Sequence, residues 1–266
     1  MSQLISVVMA YYNRKQHLIN TLHSMEKSKY KNFEVIIVDD ASDEEHRIED
    51  LLDKFKFLKL YRIERENKWY VNPCIPTNIG LSNVSGNIII IQNPECFHYN
   101  DVFYHVINNL NQNDYFAYTT LNKDVSTQLT SINWSLNYEE QINKIILINK
   151  NDGLTNHWYC HNIYRPMALN FCAAITKKDL IDLNGFDERY AYGIERDDVE
   201  FLDRIKRKKM NMLIVDDVMV IHQSHKPFQY SHVNTQELRQ KNHKLYAETT
   251  AKEAIIKANP NKIILK

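Results

Sequence analysis

The chain has 266 residues, 44% of them hydrophobic, and its 33 Lys plus Arg are balanced by 33 Asp plus Glu. That size supports one large core, and the zero net charge offers neither a global basic field for nucleic acid nor an acidic solvating tail. Four dispersed cysteines, Cys74, Cys96, Cys160 and Cys172, form no C-x-x-C pair, which argues against a zinc module or disulfide framework and for a reducing compartment. No run approaches the roughly 20 apolar residues of a membrane span, and the first residues carry no signal-peptide pattern. A soluble, cytoplasmic protein without an integral membrane segment is expected. Five glycines and no repeat or Gly/Ser linker point to a single domain.

In chain order, Leu4 to Ala10 is a short apolar run, followed by Tyr11-Tyr12-Asn13 and then Leu18, Leu22 and Met25 at helical spacing. Phe33 to Val38 is a second apolar strand, ending in Asp39-Asp40-Ala41-Ser42-Asp43 ahead of a helix-like segment with Ile48, Leu51, Leu52 and Phe55. Leu58 to Ile63 alternates as a third strand, and Thr77 to Val84 reads as a short helix. Next come Ile88-Ile-Ile-Ile91, four β-branched residues suited to a strand buried on both faces of a parallel sheet. Pro94 has no N–H for the ladder, so this strand ends near Gln92 and delivers Asn93 and Glu95 to the sheet's carboxyl edge. Strands alternating with helices imply right-handed crossovers and a mostly parallel sheet, whose carboxyl edge is where ligands bind in open α/β folds. Ala10 to Asn13, Asp39 to Asp43 and Asn93 to Glu95 gather there.

The pairing of Ser6-Val-Val-Met-Ala-Tyr-Tyr-Asn-Arg14 with Phe33-Glu-Val-Ile-Ile-Val-Asp-Asp-Ala-Ser42 resembles the start of family 2 glycosyltransferases of the GT-A fold. The resemblance implies a Rossmann-like α/β sheet flanked by helices, over residues 1–233, with a nucleotide-sugar half at 1–112 and an acceptor half at 113–233. Residues 234–266 are expected to form a polar helix and basic tail that clasp the fold. The resemblance further implies that Ala10 and Tyr12 flank the nucleobase and that Asp40 accepts a hydrogen bond from a uracil-type imide. A carboxylate only accepts, so it selects a base edge that presents a donor. Taken alone, Asp39-Asp40 could equally be a strand end and helix cap. Asn78, in Asn78-Ile-Gly-Leu81, is expected to contact the ligand, whereas Trp69 reads as a packing residue.

The family commonly places Asp-x-Asp at the end of the central strand, and here the positions read Asn93-Pro94-Glu95. Glu95 retains one carboxylate for Mn²⁺ or Mg²⁺, with Asn93 beside the donor. The GT-A resemblance also implies a histidine ligand after a late strand; Asn211 to Val215 and Val218 to Ile221 read as the last two strands, and His222 is preferred over His225 as that ligand. Lys226 is placed near phosphate. Residues 122–156 read as an insertion with a helix at Tyr138 to Leu147, and His157 to His161 as an aromatic surface or packing rather than a zinc site.

Lys177 to Leu183 reads as a helix closed by Asn184-Gly185. Asp197-Asp198 then opens a helix with Phe201, Leu202 and Ile205 on one face, a pattern that capping alone explains. Asn184-Gly-Phe-Asp-Glu188 followed by this acidic pair resembles the Gly-Phe-Asp-Glu and Glu-Asp segments of the family, which implies Asp198 as general base, with Asp197 orienting the acceptor or serving as the alternative base. The expectation is an inverting enzyme moving a sugar from a nucleoside-diphosphate sugar, UDP-sugar favoured, to a glycan, lipid or protein acceptor. An inactive nucleotide- or glycan-binding relic and a nucleotidyltransferase are the alternatives; the second would be expected to carry a Gly-rich loop that Ala10 to Lys15 lacks.

Overall fold

The computed structural model describes residues 3–123, 126–134, 138–148, 157–225, 234–249 and 254–266. The N-terminal half runs β1 (Ile5–Tyr11), α1 (Lys15–Glu26), β2 (Phe33–Asp40), α2 (Leu51–Lys54), β3 (Leu58–Ile63), α3 (Cys74–Leu81) and β4 (Ile88–Gln92). It continues through β5 (Cys96–His98), α4 (Val102–Asn109), β6 (Asp114–Lys123), α5 (Ser126–Thr130) and α6 (Tyr138–Ile148). The remainder is β7 (Trp158–Cys160), β8 (Cys172–Thr176), α7 (Lys177–Leu183), α8 (Asp197–Arg207), β9 (Asn211–Gln223) and α9 (Thr235–Thr249).

One sheet carries all nine strands in the order β3-β2-β1-β4-β8-β6-β9-β5, with β7 attached to β6. The block β3-β2-β1-β4 is wholly parallel. Beyond it, β8 runs antiparallel to both β4 and β6, β9 runs parallel to β6, and β5 runs antiparallel to β9. The parallel character inferred from sequence therefore belongs to the β3-β2-β1-β4 block, while the rest of the sheet is mixed.

The isoleucines of β4 explain how the sheet is sandwiched. Ile88 and Ile90 enter one core with Leu18, Leu22 and Met25 of α1 and Phe103 and Val106 of α4. Ile89 and Ile91 enter the other with Leu81 of α3, Leu180 of α7 and Phe201 and Ile205 of α8. Successive side chains of a strand point to opposite faces, so a strand covered on both sides is apolar throughout. At about 25 cal/mol per Å² of apolar surface, each fully buried isoleucine contributes about 1.5–3 kcal/mol.

Several boundaries differ from the sequence reading. The helix expected over Thr77 to Val84 begins three residues earlier, at Cys74. The helix expected after Asp43 is a short 3₁₀ turn at Glu44–His46 and the four-residue α2. The two last strands are one, β9, whose register against β6 shifts between Tyr118 and Thr119 so that Val215 and Met219 face neighbouring residues. A bulge of this kind keeps a strand continuous while bending it, and periodicity alone reads it as a break. Residues 254–266 are tied down: Ile264 and Leu265 are buried in the second core. The side-chain amide of Asn184 donates to the carbonyls of Ala258 and Lys262 at 2.8 and 2.7 Å.

The fully buried Arg204 organises the turn before α8. Its guanidinium pairs with Glu200 at 2.7 Å and donates to the carbonyls of Leu183 and Gly185 at 2.7 and 2.9 Å. Asn184 and Gly185, at φ 57° and 72°, are the left-handed residues that end α7. Replacing Arg204 by Ala strands Glu200 in the core without its cation. Urea denaturation is expected to show a loss of about 3–5 kcal/mol.

Candidate active site

The sheet's carboxyl edge assembles from three loops. After β1, Asn13 adopts φ 50°, and after β2, Ala41 adopts φ 63°, so both loops turn sharply through conformations that non-glycine residues seldom take. They are stitched together reciprocally: Asn13 Nδ2 donates to Asp43 at 2.5 Å, and the Asp43 N–H donates back to Asn13 Oδ1 at 2.8 Å. Asp39, fully buried, pairs with Arg62 at 2.9 Å and is structural. Asp40 instead faces a cleft of about 350 Å³ that is also lined by Ala10, Tyr12, Arg14, Arg65 and Lys68. Its Oδ2 pairs with Lys68 at 2.7 Å, and its Oδ1 accepts from the Tyr70 hydroxyl at 2.6 Å. Burial raises the Asp40 pKa against the opposing pull of Lys68. The sequence-designated Ala10, Tyr12 and Asp40 thus share one cleft that has three cations in its wall.

The third loop is Asn93-Pro94-Glu95, and β4 does end at Gln92. Glu95 is 1% exposed. Its Oε1 lies 2.9 Å from an Arg14 guanidinium nitrogen, 3.1 Å from His222 Nε2 and 3.2 Å from His225 Nε2. The antiparallel pairing of β5 with β9 sets Cys96 opposite His222, which brings this histidine beside Glu95. Burial pushes the Glu95 carboxyl up, but the two histidines and Arg14 outweigh it and hold the pKa well below the usual carboxylate range. Both histidines, rather than one of the two, converge on Glu95. The Asn93 side chain, half-buried at the same edge, makes no hydrogen bond among the described residues.

The ligand atoms of Glu95, His222 and His225 all lie within 4.8 Å of one another. Two imidazoles and a carboxylate form a donor set suited to a first-row divalent ion such as Mn²⁺, more than to Mg²⁺, which favours all-oxygen shells. Glu95 Oε2 is buried with no hydrogen-bond partner, an oxygen free to ligate. These residues fit a divalent ion.

The carboxylate pair sits at the N-terminus of α8. β9 begins beside Asp114, at the edge opposite the cleft, so α8 starts at the cleft edge and runs away from it. Asp197 accepts a hydrogen bond from Asn72 Nδ2 at 2.9 Å. Asp198 Oδ1 accepts only from the neighbouring Val199 N–H, at 2.7 Å, among the described residues. Burial first, and the adjacent Asp198 charge second, push Asp197 up to about 7, and burial raises Asp198 as well. Two like charges this close lose their protons as a pair.

The loop feeding α8 is strained and braced. Glu195 and Arg196 both lie in the left-handed region, at φ 66° and 73°. The buried Asn242 of α9 donates to the carbonyls of Tyr190 and Glu195 at 3.1 and 2.9 Å. Gly193 gives the room for this: a Cβ there would lie 2.3 Å from Asn242 Oδ1. The C-terminal helix is thus a brace on the acidic pair's entry loop.

The expected ligand role of Asn78 is corrected. The residue is 2% exposed, its Nδ2 donates to Phe186 O at 2.9 Å, and its Oδ1 accepts from Phe186 N at 2.8 Å. Its amide also donates to Glu188 at 3.1 Å, so it braces the loop before α8, and it is not among the residues lining the Asp40 cleft. His161 Nδ1 accepts from the N–H groups of Ile163 and Tyr164 at 3.0 and 3.3 Å, in the hairpin closed by the His161–Arg165 bridge. Lys226 lies outside the described residues. Sequence reasoning did not assign Arg14, Lys68, Asn72 or Asn242; Arg14 closes the motif that runs through β1, whereas Asn242 had no signal in a polar helix. A larger hollow of about 560 Å³, between Lys27, His98, Asp101, Trp134 and Asn143, contains none of the site residues inferred from sequence.

The family model described as "Glycosyl transferase family 2" matches residues 6–172, well over half of the chain. The chain belongs to glycosyl transferase family 2. Within this family it is 30% identical over 112 residues to an uncharacterized glycosyltransferase of Haemophilus influenzae, covering 41% of this chain and 43% of that protein. It is 31% identical over 86 residues to the amylovoran biosynthesis glycosyltransferase AmsB of Erwinia amylovora, covering 32% of this chain and 28% of that protein. The chain spans less than half the length of these curated relatives. Among solved structures, this family 2 chain is similar to S. aureus TarS, with TM-score 0.56 and 15% identity over 83% of this chain and 36% of the other. It is also similar to the mannosyltransferase PcManGT of Pyrobaculum calidifontis in complex with GDP-Man and Mn²⁺, with TM-score 0.55 and 15% identity over 84% and 57% of the two chains. At such identity the likeness establishes the fold, which is GT-A.

Manganese binding is measurable directly from the electron paramagnetic resonance of the free ion. The His222→Ala and His225→Ala variants are each expected to weaken Mn²⁺ binding at least about tenfold, since even the loss of groups that merely support metal ligands costs 10–100-fold. Unchanged binding in the double variant would move the ion elsewhere.

Proposed function

We propose that the chain is an inverting glycosyltransferase that moves a sugar from a nucleoside-diphosphate sugar, UDP-sugar favoured, to an acceptor hydroxyl. The observation that carries this reading is the meeting, at one sheet edge, of the Asp40 cleft, the Glu95–His222–His225 cluster and the Asp197–Asp198 pair. In this reading Ala10 and Tyr12 flank the base, Asp40 accepts its imide N–H, and Asn93 lies beside the donor. Arg14 and Lys68, in the cleft wall, balance the diphosphate charge. A divalent cation, Mn²⁺ in preference to Mg²⁺, would be held by Glu95, His222 and His225, and would supply Lewis-acid neutralisation of the leaving diphosphate.

Asp198 is the base. Its side chain has no side-chain partner to give up, and burial has raised its proton affinity toward the working range. The acceptor oxygen forms a bond to the anomeric carbon as the bond from that carbon to the diphosphate oxygen breaks. The acceptor proton passes to Asp198, and the electron pair leaves with the diphosphate. Asp197, fixed by Asn72, orients the acceptor and titrates with Asp198 as a pair. The domain halves at 1–112 and 113–233 correspond to donor and acceptor sides, with 234–266 as a clasp. The four buried free cysteines fit a reducing compartment.

Thermal melts against UDP, GDP, dTDP and CDP, each with and without Mn²⁺, test the donor side. A ligand at a hundredfold excess over its Kd stabilises the native state by about 2.7 kcal/mol. UDP is expected to raise the Tm, more so with Mn²⁺, and CDP is not, because cytosine presents no imide N–H to Asp40. No shift with any nucleotide would refute the donor site. Replacing Asp198 by Asn is expected to lower kcat by at least about a hundredfold while leaving the nucleotide shift unchanged. Retained turnover would reject Asp198 as base.

The pH profile tests the pair. Burial raises Asp198, and a carboxylate becomes a competent base only once it loses its proton, so kcat/KM is expected to climb on an acidic limb that lies above the usual carboxylate range. Replacing Asp197 by Asn removes the neighbouring charge and is expected to move that climb to lower pH. An unmoved limb would mean that the pair does not set it.

A further inference from the structure

Residues 68–72 form a bridge that touches both halves of the site. Lys68 pairs with Asp40, and the Tyr70 hydroxyl donates to the same carboxylate. Val71 and Pro73 line the cleft, while Asn72 between them donates to Asp197. The Val71 N–H is tied to the Ala191 carbonyl at 2.9 Å, locking this bridge onto the segment that leads to α8. Every residue of the bridge has an inward task except Trp69.

Trp69 is 57% exposed and Tyr192 54% exposed, and their rings lie against each other at 5.4 Å between centroids. The Tyr70 ring buttresses Trp69 edge-on at 5.4 Å, and Lys241 of α9 reaches over Tyr192. The two rings are tilted 50° to each other, and each stays about half exposed. Large exposed rings held rigid in this way are uncommon on a surface that binds nothing. Their place in the chain puts them one residue from the donor-side contact of Lys68, three residues from the Asn72–Asp197 bond and five from Asp197 itself.

We propose that the Trp69–Tyr192 ring pair is the platform on which a saccharide acceptor stacks while its hydroxyl is presented to Asp198. This rests on the glycosyl-transfer reading above and deepens it by naming the acceptor class as a glycan. The occupant follows from chemistry and continuity. A pyranose has an apolar face of C–H groups about the size of an aromatic ring and a rim of hydroxyls. The rings supply apolar faces, and the Lys241 ammonium at the Tyr192 ring supplies a hydrogen-bond donor for that rim. The platform is continuous with the donor cleft through Lys68, so an acceptor lying on it sits at the border of donor and base.

Saturation-transfer NMR on the UDP- and Mn²⁺-loaded full chain tests this with methyl glycosides of glucose, galactose and N-acetylglucosamine, and with short gluco-, galacto- and chito-oligosaccharides. At least one saccharide is expected to give a saturable signal that falls tenfold or more in affinity in Trp69→Ala and Tyr192→Ala. Trp69→Phe, which keeps a flat ring, is expected to retain most of it. The UDP-induced Tm shift should stay at the wild-type value in all three variants, because the side chains replaced are exposed and the contacts to Asp40 come from Lys68 and Tyr70. A saccharide signal indifferent to all three substitutions would overturn the proposal, and so would the lack of any saccharide signal in the wild type. Failure of the glycosyl-transfer reading looks different: no nucleotide would shift the Tm of the wild type.

Discussion

A carboxylate removed from water must be compensated, and the site depends on how that is done for Glu95. At 1% exposure its charge would be costly alone, and Arg14, His222 and His225 all approach one of its oxygens. Arg14 comes from the loop after β1, Glu95 from the turn after β4, and the histidines from the end of β9. One buried charge thus joins three segments that the chain separates widely. Removing a partner leaves a buried ion less compensated, so the geometry that would hold a cation is also the geometry that holds the edge of the sheet together. The second oxygen of Glu95, buried without a partner, is the cost that a purely structural ion pair would have avoided.

The acidic pair at α8 follows the opposite logic. Here burial and like charge raise proton affinity, and the surrounding structure resists relaxation. Asn72 grips Asp197 from one side, and Asn242 grips the left-handed Glu195 from the other. A backbone held in sparsely populated conformations persists only where the surroundings over-determine it, and such positions concentrate at functional sites. The C-terminal helix accordingly does more than cover the fold. It meets the entry loop of the pair through Asn242, Leu238 and Arg239.

The N-terminal half was legible because its signals are local. Four isoleucines closed by a proline specify a buried strand and its end, and Leu18, Leu22 and Met25 specify the face of α1. Asn184-Gly185 specified the end of α7 for the same reason: the left-handed backbone there is a property of two residues. The bend in β9 was not legible, since a bulge interrupts periodicity without ending the strand. Asn78 misled because an amide in a ligand-like motif and an amide bracing a loop look identical in sequence. Trp69 misled in the other direction, because a bulky ring beside a buried Tyr70 reads as packing until its neighbours are known.

The sequence by itself determined the family, the end of β4 at Gln92 and the three loops that gather at the sheet's carboxyl edge. Each of these is set by β-branching, proline and short-range motif spacing. Only the tertiary structure decided that both histidines meet Glu95, since this follows from the antiparallel register of β5 on β9 that sets Cys96 opposite His222. It likewise decided that residues 68–72 span from Asp40 to Asp197 and that Asn242 braces the acidic pair's loop. The physical reason is the same in each case. Contacts between segments a hundred or so residues apart depend on strand order and register, and no local pattern of side chains encodes them.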